Sequence, residues 1–195
     1  MDYTVFRRLE DRLCFSVEDI VSLTGIKPDS ARVLCSRYRK KGIFIRLKKN
    51  LYVLEEKWRH LEREDFLRIA NFLQVPSYVS FLTALSVRGI TTQVPRGFFE
   101  SASLKRSVKF EAKDTVFAFY KLKKGLYFDF VKEKGYFIAT KEKAFLDAVY
   151  LSSLGRYALD FTALDTDRLD KTRLKKLIKA YPQKTKIIAR RICRI

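Results

Sequence analysis

Residues 28–54 read Pro28-Asp29-Ser30-Ala31-Arg32-Val33-Leu34-Cys35-Ser36-Arg37-Tyr38-Arg39-Lys40-Lys41-Gly42-Ile43-Phe44-Ile45-Arg46-Leu47-Lys48-Lys49-Asn50-Leu51-Tyr52-Val53-Leu54. Pro28 suits the first turn of a helix, because proline has no N–H to leave unpaired there. Ala31, Leu34, Cys35 and Tyr38 fall at i, i+3, i+4 and i+7, an apolar stripe along one face. Gly42, after Lys40-Lys41, can take the left-handed stop. A helix of about 21 Å is expected at roughly 1.5 Å per residue. Beyond it Ile43, Ile45 and Leu47 alternate with Phe44 and Arg46, and Leu51 to Leu54 form a second apolar run. Two short strands joined at Lys48-Lys49-Asn50 are expected, with Asn50 supplying the positive φ of the turn.

Upstream, Ser16 precedes Val17-Glu18-Asp19, a hydroxyl with a carboxylate three residues on, which is the pattern of a capping box. Ile20, Val21 and Leu23 give that helix a buried face, and it ends at Thr24-Gly25. Val5, Phe6, Leu9 and Leu13 predict a first helix over 3–13. Helix, helix, glycine turn, helix and a hairpin with a cationic tip is the order of a winged helix-turn-helix, assigned to residues 1–57. A helix lying in the major groove needs a polar, cationic outer face with small residues near its start. Ser30, Arg32, Val33, Ser36 and Arg37 lie off the apolar stripe and meet that need. Lys27 just before the helix, Lys40 near its end, and Lys48 and Lys49 at the hairpin tip are placed for phosphates. Double-stranded DNA is the expected partner.

Composition agrees with a polyanionic partner. The 195 residues carry 41 Lys+Arg against 22 Asp+Glu, a net charge of +19, and 47% hydrophobic content supplies enough apolar surface for real cores. No apolar run spans a bilayer and no leader is seen, so the expected location is cytoplasmic, without membrane association. Cys14, Cys35 and Cys193 are too few and too scattered for a disulfide framework or a zinc site. His60 is the sole histidine, and neither G-x-x-x-x-G-K-[ST] nor G-x-G-x-x-G occurs. No catalytic residues, metal or cofactor are expected, and the chain reads as a non-enzyme.

A second, mixed α/β domain is assigned to residues 58–195, giving an α/β (α+β) protein overall. Phe66, Ile69, Ala70 and Leu73 predict a helix, Ser77 to Ile90 a short helix closed by Gly89, and then a loop over Thr91 to Arg96. Strand-like runs follow at Phe98 to Ser103, Thr115 to Leu122, Leu126 to Val131 and Tyr136 to Ala139. Thr140 caps a further helix through Phe145, Leu146, Val149 and Tyr150. From Arg168 to Ile195 there are 11 basic residues against Asp170 alone, with Leu174, Leu177, Ile178, Ile187, Ile188 and Ile192 at helical spacing. That predicts a basic amphipathic end whose surface carries Arg173, Lys175, Lys176 and Lys179.

Two stretches resemble the AbiEi family of type IV antitoxins. One is Ser80 to Gly89, with Ser80, Ala84-Leu85, Gly89 and the later Pro95. The other is Ala139-Thr140-Lys141-Glu142-Lys143-Ala144-Phe145-Leu146-Asp147, with Glu142, Lys143 and Asp147. Their succession after a winged helix covers nearly the whole chain. The resemblance implies a transcriptional autorepressor that binds operator DNA and opposes a nucleotidyltransferase-like toxin encoded beside it, without a stable toxin complex. It also implies a basic surface on the second domain, where residues 61–195 carry net +13.

Glu142, Lys143 and Asp147 also invite a metal-nuclease reading, with Asp129 or Asp114 joining from a strand. On a helix, 142 and 147 diverge by roughly 140°, which favours capping and ion pairing. A lone ligand-responsive regulator, a winged-helix-targeted metal-dependent nuclease, and an RNA-binding module using Tyr120 and Tyr127 are the alternatives to the antitoxin reading.

Overall fold

A computed structural model of the chain describes residue 6, residues 8–93 and residues 96–195. The protein is a mixed α/β protein that divides into two compact units. One comprises the described residues up to Ile69 together with 110–114, and the other comprises 70–109 and 115–195. The first unit thus runs past the expected boundary near residue 58. The division at Ile69/Ala70 falls within helix α4 (Arg63–Leu73).

In the first unit α1 (Val17–Thr24) is opened by the capping box that Ser16 and Asp19 predict: the Asp19 N–H donates to Ser16 Oγ (3.2 Å), and the Ser16 N–H to Asp19 Oδ2 (2.7 Å). Gly25, at φ 70°, ends it. The helix expected from Pro28 up to the Gly42 stop is α2 (Pro28–Lys40), with proline in its first turn and Ala31, Leu34, Cys35 and Tyr38 buried. The expected hairpin follows as β1 (Phe44–Lys48) and β2 (Leu51–Leu54), antiparallel, with Asn50 at φ 60° in the turn. Phe15 adds a bridge to the free side of the hairpin, exchanging two backbone hydrogen bonds with Tyr52 (2.9 and 2.8 Å). An aromatic cluster holds the pieces together, with Phe44 edge-on to both Phe6 (5.4 Å) and Phe15 (4.9 Å). The short helix α3 (Glu55–Arg59) then leads into α4.

The helix expected over 3–13 is not found among the described residues. Residues 6, 8 and 9 form a 3₁₀ turn, and Val5 of the expected stripe lies outside the described residues. Phe6 and Leu9 are buried nonetheless, so the apolar spacing reports contact with the core, not an α-helix.

A six-stranded sheet is ordered β5-β6-β4-β3-β8-β7, with β3 (Ser77–Val79), β4 (Phe98–Ser103), β5 (Val108–Ala112), β6 (Thr115–Lys121), β7 (Phe130–Glu133) and β8 (Tyr136–Ala139); all of it but the 110–112 end of β5 belongs to the second unit. The β4–β6 and β3–β8 pairs are parallel, and β3–β4 and β7–β8 antiparallel. The segment expected to be helical from Ser77 to Ile90 is instead β3 followed by α5 (Phe81–Val87). Strand β5 was not anticipated, and of the expected Leu126–Val131 strand only Phe130 and Val131 belong to a strand, β7, while Leu126 closes a 3₁₀ turn over Lys124–Leu126.

Helix α6 (Lys141–Ser153) is capped by Thr140 as expected, the Lys143 N–H donating to Thr140 Oγ1 (3.3 Å). It is buried on nearly every side, the state expected of a helix without an amphipathic stripe. The basic end is two helices, α7 (Lys171–Leu177) and α8 (Gln183–Cys193), separated at Tyr181-Pro182. In α8 the buried stripe is Thr185, Ala189 and Cys193, while Ile187 is 58% exposed and Ile188 and Ile192 half-buried. The expected isoleucine stripe is therefore corrected to one of small residues, which lets the α8 backbone approach α6 closely. Among the described residues no helix is long and apolar enough to cross a membrane.

Candidate nucleic-acid interface

With its apolar stripe committed to the core, α2 turns the remaining residues outward. Lys27, Ser30, Arg32, Val33, Ser36, Arg37 and Lys40 are all exposed. Val33, Ser36, Arg37 and Lys40 stand at i, i+3, i+4 and i+7, so they form one continuous face. Val33 is 67% exposed, a branched apolar side chain presented to water in the middle of a polar, cationic face. Such a group suits contact with a thymine methyl. Arg32 is ion-paired with Asp29, both largely exposed. Exposed pairs contribute roughly 0–1 kcal/mol, so the guanidinium exchanges this partner readily for a phosphate or a base edge. Arg37 lies 5.7 Å over the Tyr38 ring, which braces the guanidinium at the helix surface.

The hairpin tip carries Lys48, half-buried, and Lys49, exposed. A feature not anticipated from sequence is that the Asn50 side chain fixes this tip to the start of α1. Its Oδ1 accepts the Val17 N–H (2.9 Å), and its Nδ2 donates to Glu18 Oε2 (2.7 Å). The hydrogen bond from Asn50 holds the Glu18 carboxyl below the usual range. The left-handed turn residue thus also positions the two lysines beside it. On the opposite edge of the hairpin, the exposed Arg46 donates through Nε to the Lys48 carbonyl (3.3 Å).

In the second unit the residues behind the family resemblance fall together in its core. Asp147 Oδ2 accepts hydroxyls from Tyr78 (2.9 Å) and Ser80 (2.8 Å). Its Oδ1 accepts from Tyr181 (3.1 Å) and from the Lys143 ammonium. Lys143 is further bound to Tyr181 Oη (2.9 Å) and faces the Phe128 ring at 4.9 Å. Burial pulls the Lys143 pKa down against the opposing pull of Asp147, and pushes the Tyr78 and Tyr181 hydroxyls well up. Lys143 and Asp147 are both 0% exposed.

Glu142, also buried, points elsewhere, accepting the Asp170 N–H (2.9 Å) with Arg173 Nε at 3.9 Å. Ala84 and Leu85 are core residues of α5. Gly89, at φ 69°, offers its carbonyl to Arg168 (2.6 Å). Pro95 lies outside the described residues. The carboxylates diverge, Asp147 is sealed from solvent, and among the described residues no cluster of three or more His, Cys, Asp or Glu is placed to hold a metal. Asp129 is engaged by Thr140 Oγ1 (2.5 Å) and Arg173 (2.6 Å).

The four residues assigned to the basic C-terminal surface therefore separate. Arg173 is bonded to Asp129, whereas Lys175, Lys176 and Lys179 are exposed with no ion-pair partner among the described residues. The three cysteines are free thiols, and burial pushes Cys14 up to about 12 and Cys35 and Cys193 to about 11, so none is a ready nucleophile. No family model matches the chain, and no curated protein matches it.

Proposed function

We propose that the protein is a sequence-specific duplex-DNA-binding regulator that represses its own operon. In this reading residues of the first unit act as a winged helix: α2 enters the major groove, and the β1–β2 hairpin rests on the backbone. One observation carries the reading. A single helix exposes Ser30, Arg32, Val33, Ser36, Arg37 and Lys40, with Lys27 exposed just before its start, and the hairpin after it ends in Lys48-Lys49, locked in place by Asn50. Small serines let the backbone approach the bases, and the arginines have the forked geometry that reads guanine.

The test is duplex selection from a random pool, followed by mobility-shift titration of variants. Arg32→Ala or Arg37→Ala should lower preference for the selected sequence over its scramble by about 1–3 kcal/mol where either arginine reads a base. Lys48→Ala with Lys49→Ala should weaken both duplexes alike. An equal loss on matched and scrambled duplex for every variant would assign base reading elsewhere.

The second half of the proposal is an antitoxin role toward a nucleotidyltransferase-like toxin encoded beside it, acting without a stable toxin complex. It is supported by the motif succession noted above, together with the exposed Lys175, Lys176 and Lys179 on a basic unit. Co-expression with the product of the adjacent reading frame tests it: rescue of growth is expected, and growth arrest unrelieved by this protein would remove the antitoxin half. A metal-nuclease role is disfavoured by the sealed Lys143–Asp147 pair, which no phosphodiester reaches. A lone ligand-responsive regulator is favoured by one specific feature, a large cation-rimmed cavity in the second unit.

A further inference from the structure

A cavity of about 750 Å³ opens beyond the carboxyl ends of the parallel strands β4 and β6. This is the end of a strand pair where open α/β sheets place ligands. The volume lies inside the roughly 300–1,000 Å³ range of small-molecule sites. Its rim is formed by Lys105 and Arg106 after β4, Lys121 and Lys123 at the end of β6, and Arg156 after α6. No carboxylate lines it, and none of these five side chains is ion-paired among the described residues. Five like charges around one cavity repel one another, and an anion of several charges relieves that repulsion better than any neutral ligand.

The floor has a different character. Tyr150 and Leu151 of α6, and Leu122, are buried. Leu154 is exposed and Tyr120 half-buried. Tyr120 is held in place from behind, its ring edge-on to Phe81 (4.9 Å) and to Tyr157 (5.5 Å), and its hydroxyl donating to the buried Glu100 (3.4 Å). Ser107 Oγ accepts the Lys121 N–H (2.9 Å), which leaves the serine proton free to be donated into the cavity. The carboxyl end of α6 would disfavour an anion, but the Leu151 carbonyl is already taken by the Leu154 and Arg156 N–H groups (3.1 and 2.9 Å).

We propose that this cavity binds a nucleoside polyphosphate, its phosphates held on the ring of Lys105, Arg106, Lys121, Lys123 and Arg156 and its base laid on the apolar floor beside Tyr120. A bare oligophosphate matches the rim but wastes the floor, and an uncharged aromatic matches the floor but leaves the cations unrelieved. The proposal does not depend on the DNA-binding reading, because the residues belong to the other unit.

Isothermal titration of the full chain with ATP, GTP, CTP and UTP, each compared with tripolyphosphate, tests it. At least one nucleotide should bind at a single site at least tenfold tighter than tripolyphosphate. Lys121→Gln with Lys123→Gln should weaken that binding tenfold or more, and Leu154→Glu, at an exposed wall position, should do the same without touching the lysines. Lys175→Gln with Lys176→Gln, which removes equal charge outside the cavity, should leave it within about twofold. Arg37→Ala should retain nucleotide binding while altering DNA binding, so failure of one reading is separable from failure of the other. The proposal is overturned by equal affinity for tripolyphosphate, by saturation of none of the four nucleotides, by indifference to the cavity variants, or by a single-stranded oligonucleotide binding the same lysines tenfold tighter than any mononucleotide.

Discussion

Replacing Asp147 by asparagine changes one atom and removes the counter-charge of a fully buried ammonium. In the native protein the carboxylate accepts four hydrogen bonds, from Tyr78, Ser80, Tyr181 and Lys143. Asparagine has one acceptor oxygen and one donor amide, so at least one hydroxyl or the ammonium must then face an N–H donor. Breaking a buried ion pair by removing one partner costs about 3–5 kcal/mol. For a chain of this length each kcal/mol moves the melting temperature by roughly 2–4 °C, so Asp147→Asn should melt roughly 6–20 °C lower by far-ultraviolet circular dichroism.

The double variant Lys143→Met/Asp147→Asn should recover part of the loss, because the orphaned charge is gone, giving a coupling of about 1–3 kcal/mol in the cycle. Ser80→Ala, which leaves the pair intact and removes one 2.8 Å hydrogen bond, should cost about 1.5–3 kcal/mol. A destabilisation below about 1 kcal/mol for Asp147→Asn, with additive behaviour in the double variant, would refute the view that this pair organises the second unit.

Two further outcomes follow from side chains that serve the fold. Asn50→Ala removes the acceptor of the Val17 N–H and places alanine at φ 60°; it should cost about 1–3 kcal/mol by thermal melting and weaken matched and scrambled duplexes alike in a mobility shift. Glu100 is buried, and burial raises its pKa from an ordinary 4.5 to about 7 despite hydrogen bonds from Tyr157 and from the Leu82 N–H. Its folded pKa is the higher one, so its contribution to stability is complete below about pH 4.5 and is lost as the pH rises through about 7. Glu100→Gln should abolish that slope and be the more stable protein at pH 8, by an amount on the order of 3 kcal/mol; urea midpoints at pH 5 and pH 8 check it.

Local grammar and long-range assembly were not equally legible in the sequence. The Ser16–Asp19 box, the α2 stripe and the left-handed Asn50 are short-range features, set by residues within one or two turns of each other, and sequence spacing reports them directly. Strand β3 is three residues long and fully buried, so it shows no alternation. Its identity comes from pairing with β4 and β8. The isoleucines of α8 carried the stronger hydrophobic signal, yet packing chose Thr185, Ala189 and Cys193 because their small side chains permit close approach of helices.

The site residues divide the same way. The cationic face of α2 lies on one local element, whereas the partners of Asp147 include Tyr78, 69 positions away, and Tyr181, 34 away. Tyr78 and Tyr181 carried no signal as a pair. The five cations of the cavity rim are spread from Lys105 to Arg156 and converge only when β4, β6 and α6 are assembled.

The central claim, that α2 and the lysine-tipped hairpin grip duplex DNA, is tested most directly by the salt dependence of affinity for a selected duplex. With about 6–10 phosphates neutralised, affinity should fall on the order of 10³-fold or more between roughly 50 and 200 mM salt. Lys48→Ala with Lys49→Ala should shallow the logarithmic slope by about two. A flat salt response, or a slope unchanged by the loss of both lysines, would contradict the assignment of this surface to DNA.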